Sequence, residues 1–95
     1  MSLAPDKDFD ECARAWQYAQ DLPVKTGEIW IHYKGGEYRV ECVSIFEEEF
    51  KDKVTILVSF KSLTHGTVWS RRWEVFSEML DIPGVGQVPR FKLKS

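Results

Sequence analysis

Apolar side chains recur at helical spacing early in the chain, which predicts an amphipathic helix from Asp6 to Gln20. The apolar face of this helix comprises Phe9, Cys12, Ala13 and Trp16. Pro23 ends the helix, because proline disfavours the helical conformation in the residue before it. An isolated helix of this length is marginal in water. We therefore expect its apolar face to pack on the rest of the protein or on a second chain.

The apolar period changes to two in the segment after the helix, which predicts β-strands. Two alternating segments flank the pair Gly35-Gly36, and both glycines can take the positive φ of a tight turn. We predict a β-hairpin here, with Tyr38, Val40 and Cys42 on one face.

Further strands are predicted by β-branched and aromatic runs that turn residues separate. These runs cover residues 54–60, 67–72 and 89–93. Trp73, Phe76 and Leu80 return to helical spacing, which predicts a short helix or 3₁₀ turn, and a loop is predicted over residues 83–86. Four or five short strands predict a closed or nearly closed barrel, since closure removes exposed edges. The predicted fold is a mostly β, small SH3-like antiparallel barrel with an added N-terminal α-helix.

Four ordered motifs carry a resemblance to a known family. They are His32-Tyr33-Lys34-Gly35-Gly36 with Tyr38 and Val40, Val58-Ser59-Phe60-Lys61-Ser62-Leu63, Trp69-Ser70-Arg71 with Glu74 and Phe76, and Pro89-Arg90-Phe91. Together they resemble a bacterial and phage family, domain of unknown function 1653, from about Gly27 to Phe91. The resemblance implies an SH3-like barrel and no activity, because that family is uncharacterised.

The chain departs from the family pattern in three places. Arg72 stands where the family usually has proline, and residues 44–53 lack a polar turn that contains histidine. Residues 1–23 lie outside the family core. We therefore divide the chain into an N-terminal helix and linker (1–23) and a barrel domain (24–95), and we expect the helix to serve packing or a partner.

The length, net charge and cysteine content of the chain exclude several classes of protein. With 95 residues the chain has room for one domain, and its net charge of −2 excludes the global basic field of strong nonspecific DNA binders. Cys12 and Cys42 are too few for a disulfide scaffold, so we expect two reduced core residues. The first eight residues lack the pattern of a signal peptide, and no run approaches the roughly 20 apolar residues of a membrane span. A cytoplasmic location is expected.

The sequence gives little support for a catalytic site or a metal site. The soft metal ligands are scattered, without the spacing of a zinc site. They are His32, His65, Cys12 and Cys42. Glu47–Glu49 has the character of a solvated charge run, and Gly84-x-Gly86 follows no predicted strand and opens no helix, unlike a phosphate-binding loop. We predict no catalytic residue, no metal and no cofactor.

Aromatic residues on two predicted strands, together with the positive charge concentrated in the second half of the chain, favour a binding function. Trp30 and His32 share one strand face, and Trp69 and Arg71 share another. Aromatic rings among cations can stack bases and hold phosphates. We predict a non-catalytic binding module for a nucleotide, a nucleotide-derived signal or single-stranded nucleic acid. The predicted ligand-binding residues are Trp30, His32, Trp69, Arg71 and Arg90.

Several alternatives stay open from the sequence. The aromatic rings can be core residues that arginine covers, and Arg71 or Arg90 can be the structural partner of a carboxylate such as Glu74. His32 can fix the hairpin through a turn carbonyl. The second functional hypothesis is a protein or peptide interaction module, which docks a partner through the barrel groove or the N-terminal helix. The third is an enzyme of unknown type.

Overall fold

The structure is a computed structural model that describes residues 5–48 and 53–94, with side chains for residues 13–46 and 55–94. In chain order the elements are α1 (Pro5–Asp21), β1 (Ile29–His32), β2 (Glu37–Glu48), β3 (Lys53–Ser62), β4 (Val68–Arg72), α2 (Trp73–Phe76), β5 (Met79–Ile82), β6 (Gly86–Pro89) and β7 (Phe91–Leu93). All strand pairs are antiparallel. The prediction of a mostly β, antiparallel domain with an N-terminal helix is confirmed.

Five strands form one sheet in the order β4-β3-β2-β1-β7, and β5 and β6 form a separate hairpin. Among the described residues the ladder of backbone pairs therefore ends at β4 on one side and at β7 on the other. Side chains of these two end strands line one small cavity, so they face one another across the inside of the sheet. The gap between the end strands positions the candidate site.

The turn between β1 and β2 depends on its two glycines in different ways. Gly35 has a φ of +106°, and its amide donates to the carbonyl of His32 at 2.7 Å. Gly36 has no positive φ, but a Cβ atom there would lie 3.2 Å from the ring of Tyr38. The predicted hairpin is confirmed, with one glycine needed for its backbone conformation and the other for the close approach of a ring.

A β-bulge in β2 changes which side chains face the core. Val40 pairs with Phe60, whereas Cys42 pairs with Ser59, so the register shifts by one residue between them. A bulge leaves one residue unpaired and moves the following side chains to the opposite faces. Cys42 is consequently exposed, and the prediction that it is a core residue on the face of Val40 is wrong.

The core lies on the inner face of the five-stranded sheet. Its buried residues come from the C-terminal end of α1 and the linker after it, from β2 and β3, from α2 and from β7. They are Ala19, Leu22, Val24, Val40, Ile56, Val58, Phe60, Phe76 and Phe91. Phe76 and Phe91 stack with ring centroids 4.4 Å apart and an angle of 8° between the rings. The one-turn helix α2 therefore anchors the final strand to the sheet.

The segment after α2 forms a hairpin that the sequence pattern did not predict. Leu80 continues the helical spacing of Trp73 and Phe76, but the helix ends after one turn, where the amide and hydroxyl of Ser77 both donate to the carbonyl of Trp73. Leu80 instead pairs with Val88 between β5 and β6. Placing Leu80 in the helical turn was wrong, and the predicted loop is the turn of this hairpin.

The helix α1 packs through its C-terminal end. Ala19 is buried on the helix, and Leu22 and Val24 are buried immediately after it, whereas Trp16 remains 48% exposed. The predicted helix is therefore confirmed, but its tryptophan is only half covered by the rest of the chain. The side chains of Phe9 and Cys12 lie outside the described residues. No helix in the described part of the chain is long and apolar enough to span a membrane.

Candidate ligand-binding cleft

Strand β4 places Trp69 and Arg71 on the inner face of the sheet. Trp69 pairs with Phe60 and Arg71 with Val58, and both of these β3 partners are buried core residues. Directly opposed residues of an antiparallel pair project to the same face. Because β4 is an end strand, nothing in the described chain covers the outer half of the indole, and Trp69 is 55% exposed.

A cavity of about 120 Å³ opens between the end strands, and we name it the β4–β7 cleft. Its lining residues are His32, Tyr38, Phe60, Trp69, Arg71 and Phe91. The floor is a cluster of rings in edge-to-face contact, in which the centroids of Tyr38 and Phe60 lie 5.3 Å apart and those of Phe60 and Phe91 lie 5.0 Å apart. The cleft thus combines a packed aromatic floor with one exposed indole and one guanidinium at its rim.

Three of the five predicted ligand-binding residues meet in this cleft: His32, Trp69 and Arg71. Sequence reasoning missed Tyr38 as a lining residue. Its signal was present in the hairpin, because a turn at the two glycines sets Tyr38 opposite Trp30 on the inner face.

Trp30 lies apart from the cleft and supports the core. Its indole Nε1 donates to Oε1 of Glu28 at 3.1 Å, and its ring packs edge-on against Phe76 with centroids 5.3 Å apart. The indole is therefore held by one carboxylate and one core ring, and it does not line the cavity with Trp69 and Arg71.

Arg90 is engaged by neighbouring groups of the chain. Its Nε donates to the carbonyl of Val75 at 3.0 Å, and its Nη2 donates to Oε1 of Glu78 at 2.6 Å. The side chain of Arg90 is 18% exposed. The structural alternative predicted a partner such as Glu74, and the actual carboxylate, Glu78, lies four residues later, between α2 and β5. Arg90 thus ties the segment after α2 to β7.

The side chain of Arg71 has no ion pair or hydrogen bond with the described residues, in contrast to the side chain of Arg90. It is exposed at the rim of the cleft. A guanidinium presents donors in a planar fork that matches the oxygens of phosphate or carboxylate. The cleft therefore carries a cation whose donors are available to a ligand.

His32 sits at the centre of the positive charge around the cleft. Burial lowers the pKa of His32 below its ordinary value of 6.5, and the nearby charges of Arg71, Arg90 and Lys34 lower it further. Its Nδ1 accepts the backbone amide of Lys34 at 3.2 Å, rather than the ring donating to a turn carbonyl. The neutral imidazole consequently carries its proton on Nε2, where it is a hydrogen-bond donor.

Comparison with known protein families gives a match that covers the strands lining this cleft. The model of the family described as "Protein of unknown function (DUF1653)" matches residues 28–93. The chain belongs to the DUF1653 family. The resemblance found in the sequence is thereby confirmed, and the DUF1653 match contains every residue that lines the β4–β7 cleft.

A solved DUF1653 structure is similar to this chain. It is the crystal structure of a family member from Bordetella bronchiseptica, which is 25% identical. The TM-score is 0.58, and the alignment covers 78% of this chain and 88% of the other. Comparison with curated proteins gave no match.

The arginine that departs from the expected DUF1653 pattern fits the backbone at its position. Arg72 has a φ of −63° and a ψ of 147°, and a φ near −65° is the value that proline imposes. The side chain of Arg72 follows that of Arg71 on an extended strand, so the two project to opposite faces. Arg72 is therefore a matched control for Arg71, with the same charge one residue away and outside the cleft.

Replacing Arg90 with alanine is expected to destabilise the domain by about 1–2 kcal/mol, because the hydrogen bonds to Val75 and Glu78 are lost at a partly exposed position. Urea unfolding monitored by tryptophan fluorescence measures this loss. Glu78→Gln keeps the side-chain shape and should cost less. An Arg90→Ala protein with unchanged stability would contradict the structural role.

The imidazole of His32 is expected to titrate below pH 6.5 in an NMR titration, and Arg71→Ala should move its pKa upward by removing one nearby positive charge. The unfolded imidazole keeps the ordinary value, so between the two pKa values the unfolded state binds more protons. The contribution of His32 to stability is therefore full above pH 6.5 and falls as pH decreases through the folded pKa. Urea unfolding at pH 7.5 and pH 5 measures how the free energy of unfolding changes with pH. His32→Gln should make that change smaller. A pKa at or above 6.5 would show that the histidine is not in this electrostatic environment.

Proposed function

We propose that this protein is a non-catalytic binding module that acts in the cytoplasm. Its β4–β7 cleft binds an anionic ligand with an aromatic ring: a nucleotide, a nucleotide-derived signal or a nucleotide of a single strand. The observation that carries this proposal is the position of Trp69 beside Arg71 over an aromatic floor, with more than half of the indole surface exposed.

The indole of Trp69 is oriented before any ligand arrives. Its Nε1 donates to Oγ1 of Thr67 at 3.0 Å, and the ring stands on an end strand that is fully paired on its other side. A ring held in place loses little conformational freedom when a base stacks on it. Base stacking on aromatic side chains contributes about 1–3 kcal/mol per base.

The positive charges around the cleft would bind the anionic group of the ligand, while Trp69 stacks on its ring. Arg71 stands at the rim, and the charges of Arg90 and Lys34 act on the same imidazole that lines the cleft. A phosphate placed near His32 would meet the fork of Arg71 and the Nε2–H of the neutral ring. This group of donors favours an anion over a neutral ring compound.

The size of the cleft limits what it can enclose. A volume of about 120 Å³ is below the roughly 300–1,000 Å³ of pockets that bury a drug-sized ligand. The cleft therefore encloses one group, and the rest of the ligand lies on the surface around Trp69. This favours a mononucleotide or one nucleotide of a strand over a deeply buried dinucleotide.

Tryptophan fluorescence during titration with adenosine 5′-monophosphate tests the proposal, with adenosine and inorganic phosphate as separate probes. We expect quenching by the nucleotide, weaker quenching by adenosine and affinity that decreases with salt. A short deoxythymidine oligonucleotide is the probe for binding of single-stranded nucleic acid. Equal responses to the nucleotide and adenosine would contradict the role of the cations, and no response to any of these probes would contradict the proposed ligand class.

A groove beside α1 favours a protein partner as the second candidate function. It has a volume of about 270 Å³, lies between α1 and β2, and is bordered by Trp16 and Cys42. Large half-exposed rings are enriched where proteins bind one another. Under this hypothesis Trp16→Ala should abolish partner binding while Trp69→Ala leaves it intact, and the opposite result would assign the partner to the cleft.

A further inference from the structure

A second, larger cavity lies on the other side of β1, away from the aromatic floor. Its volume is about 480 Å³, it is open to solvent, and it is bordered by the outer face of β1 and β7 and by the β5–β6 hairpin. We name it the hairpin cavity. Its lining residues are Ile31, His32, Tyr33, Gly35, Ile82, Val85, Val88, Pro89 and Lys92. The lining is mainly aliphatic, in contrast to the aromatic β4–β7 cleft.

The hairpin cavity exists because the β5–β6 hairpin covers the sheet only partly. Ile82 and Val88 are half-buried, and Val85 at the turn is 69% exposed. A two-stranded hairpin is marginal alone and needs an apolar surface to pack against. Here the anchor lies at its base, where the amide of Tyr33, just after β1, donates to the carbonyl of Arg90, just after β6, at 2.9 Å. The far end of the hairpin leaves an apolar space above Ile31.

One ammonium group borders this apolar space. Lys92 pairs with Ile31 across β1 and β7 and lines the cavity, and it makes no ion pair among the described residues. Lys94, two residues later and just after β7, differs because its Nζ lies 3.1 Å from Oε1 of Glu37. The cavity therefore has, on a mainly aliphatic wall, a cation with no ion-pair partner in the described part of the chain, which is complementary to an apolar molecule with one negative charge.

We propose that the hairpin cavity binds a small amphipathic carboxylate, with the apolar body against the aliphatic wall and the carboxylate on Lys92. The volume falls within the roughly 300–1,000 Å³ of small-molecule sites. Such sites combine a mostly apolar lining with a few polar groups that fix orientation. The site is distinct from the β4–β7 cleft because it lies on the opposite face of β1, although His32 borders both.

Displacement of the fluorescent probe 8-anilinonaphthalene-1-sulfonate tests this proposal, with octanoate and 1-octanol as matched competitors. Octanoate should displace the probe at lower concentration than 1-octanol in the unmodified protein. Lys92→Gln should weaken octanoate about two- to fivefold, the range of an exposed ion pair, and leave 1-octanol unchanged. Val85→Trp fills the space and should reduce displacement by both competitors more than tenfold.

Two control variants assign the effect to this cavity. Lys94→Gln makes the same charge change two residues away, and Arg71→Gln makes it in the β4–β7 cleft. Both should leave displacement by octanoate unchanged, with melting temperatures confirming that every variant is folded. Equal displacement by octanoate and 1-octanol, or loss of the octanoate advantage in Arg71→Gln, would overturn the proposal. These results do not bear on the proposed nucleotide binding, because Lys92 does not line the β4–β7 cleft.

Discussion

Replacing Phe76 with alanine is expected to destabilise the domain by about 3–5 kcal/mol, the usual cost of deleting a buried phenyl ring. Phe76 is 1% exposed and contacts rings from three strands. Its partners are Trp30, Phe60, Trp73 and Phe91. Because a small domain has only about 5–15 kcal/mol of stability in total, the variant should lose a large fraction of its free energy of unfolding.

Urea unfolding of Phe76→Ala beside Phe46→Ala measures this effect. Phe46 lies on β2 and is 51% exposed, so the same substitution there should cost well under half as much. Equal losses in the two variants would show that the one-turn helix α2 does not anchor the core. The comparison holds the chemistry of the deletion constant and varies only the burial of the ring.

The second large effect concerns binding rather than stability. Trp69→Ala should weaken binding of adenosine 5′-monophosphate roughly 5- to 100-fold, because the stacking surface at the cleft is lost. The melting temperature should change little, since the ring is more than half exposed. Calorimetric titration gives the affinity directly and avoids using the altered tryptophan as the reporter.

Trp16→Ala is the matched control for this substitution. Trp16 is exposed to a similar extent, but it borders the groove beside α1 rather than the cleft. Affinity for the nucleotide should be unchanged in this variant. A similar loss of affinity in both variants would show that removing either tryptophan weakens nucleotide binding. The nucleotide could then not be assigned to the β4–β7 cleft.

Local patterns were enough to predict most of the strands and the shared face of Trp69 and Arg71. Period-two alternation depends on neighbouring residues alone, so β4 could be assigned its two faces without knowing its partner strand. The bulge between Val40 and Cys42 was not predictable in this way. It depends on how β2 meets both β1 and β3, and one extra residue there reverses the face of Cys42.

The cleft itself required the tertiary structure. Trp69 and His32 are far apart in sequence and meet because the end strands β4 and β7 face one another. The sequence likewise presented Arg71 and Arg90 as equivalent cations. Only packing shows that Arg90 is tied to Glu78 and Val75, while Arg71 makes no such bond among the described residues. Which cation is available to a ligand is decided by what surrounds it.

The most direct test of the central claim compares Arg71→Ala with Arg72→Ala in calorimetric titrations with adenosine 5′-monophosphate. The two variants lose the same charge from adjacent positions on β4, but only Arg71 lines the cleft. We expect about tenfold weaker binding for Arg71→Ala, as for the loss of a charge-assisted hydrogen bond at a partly exposed site, with an unchanged melting temperature. Arg72→Ala should bind like the unmodified protein. Equal affinities in the two variants, or a loss of stability in Arg71→Ala without any nucleotide binding by the unmodified protein, would contradict the account.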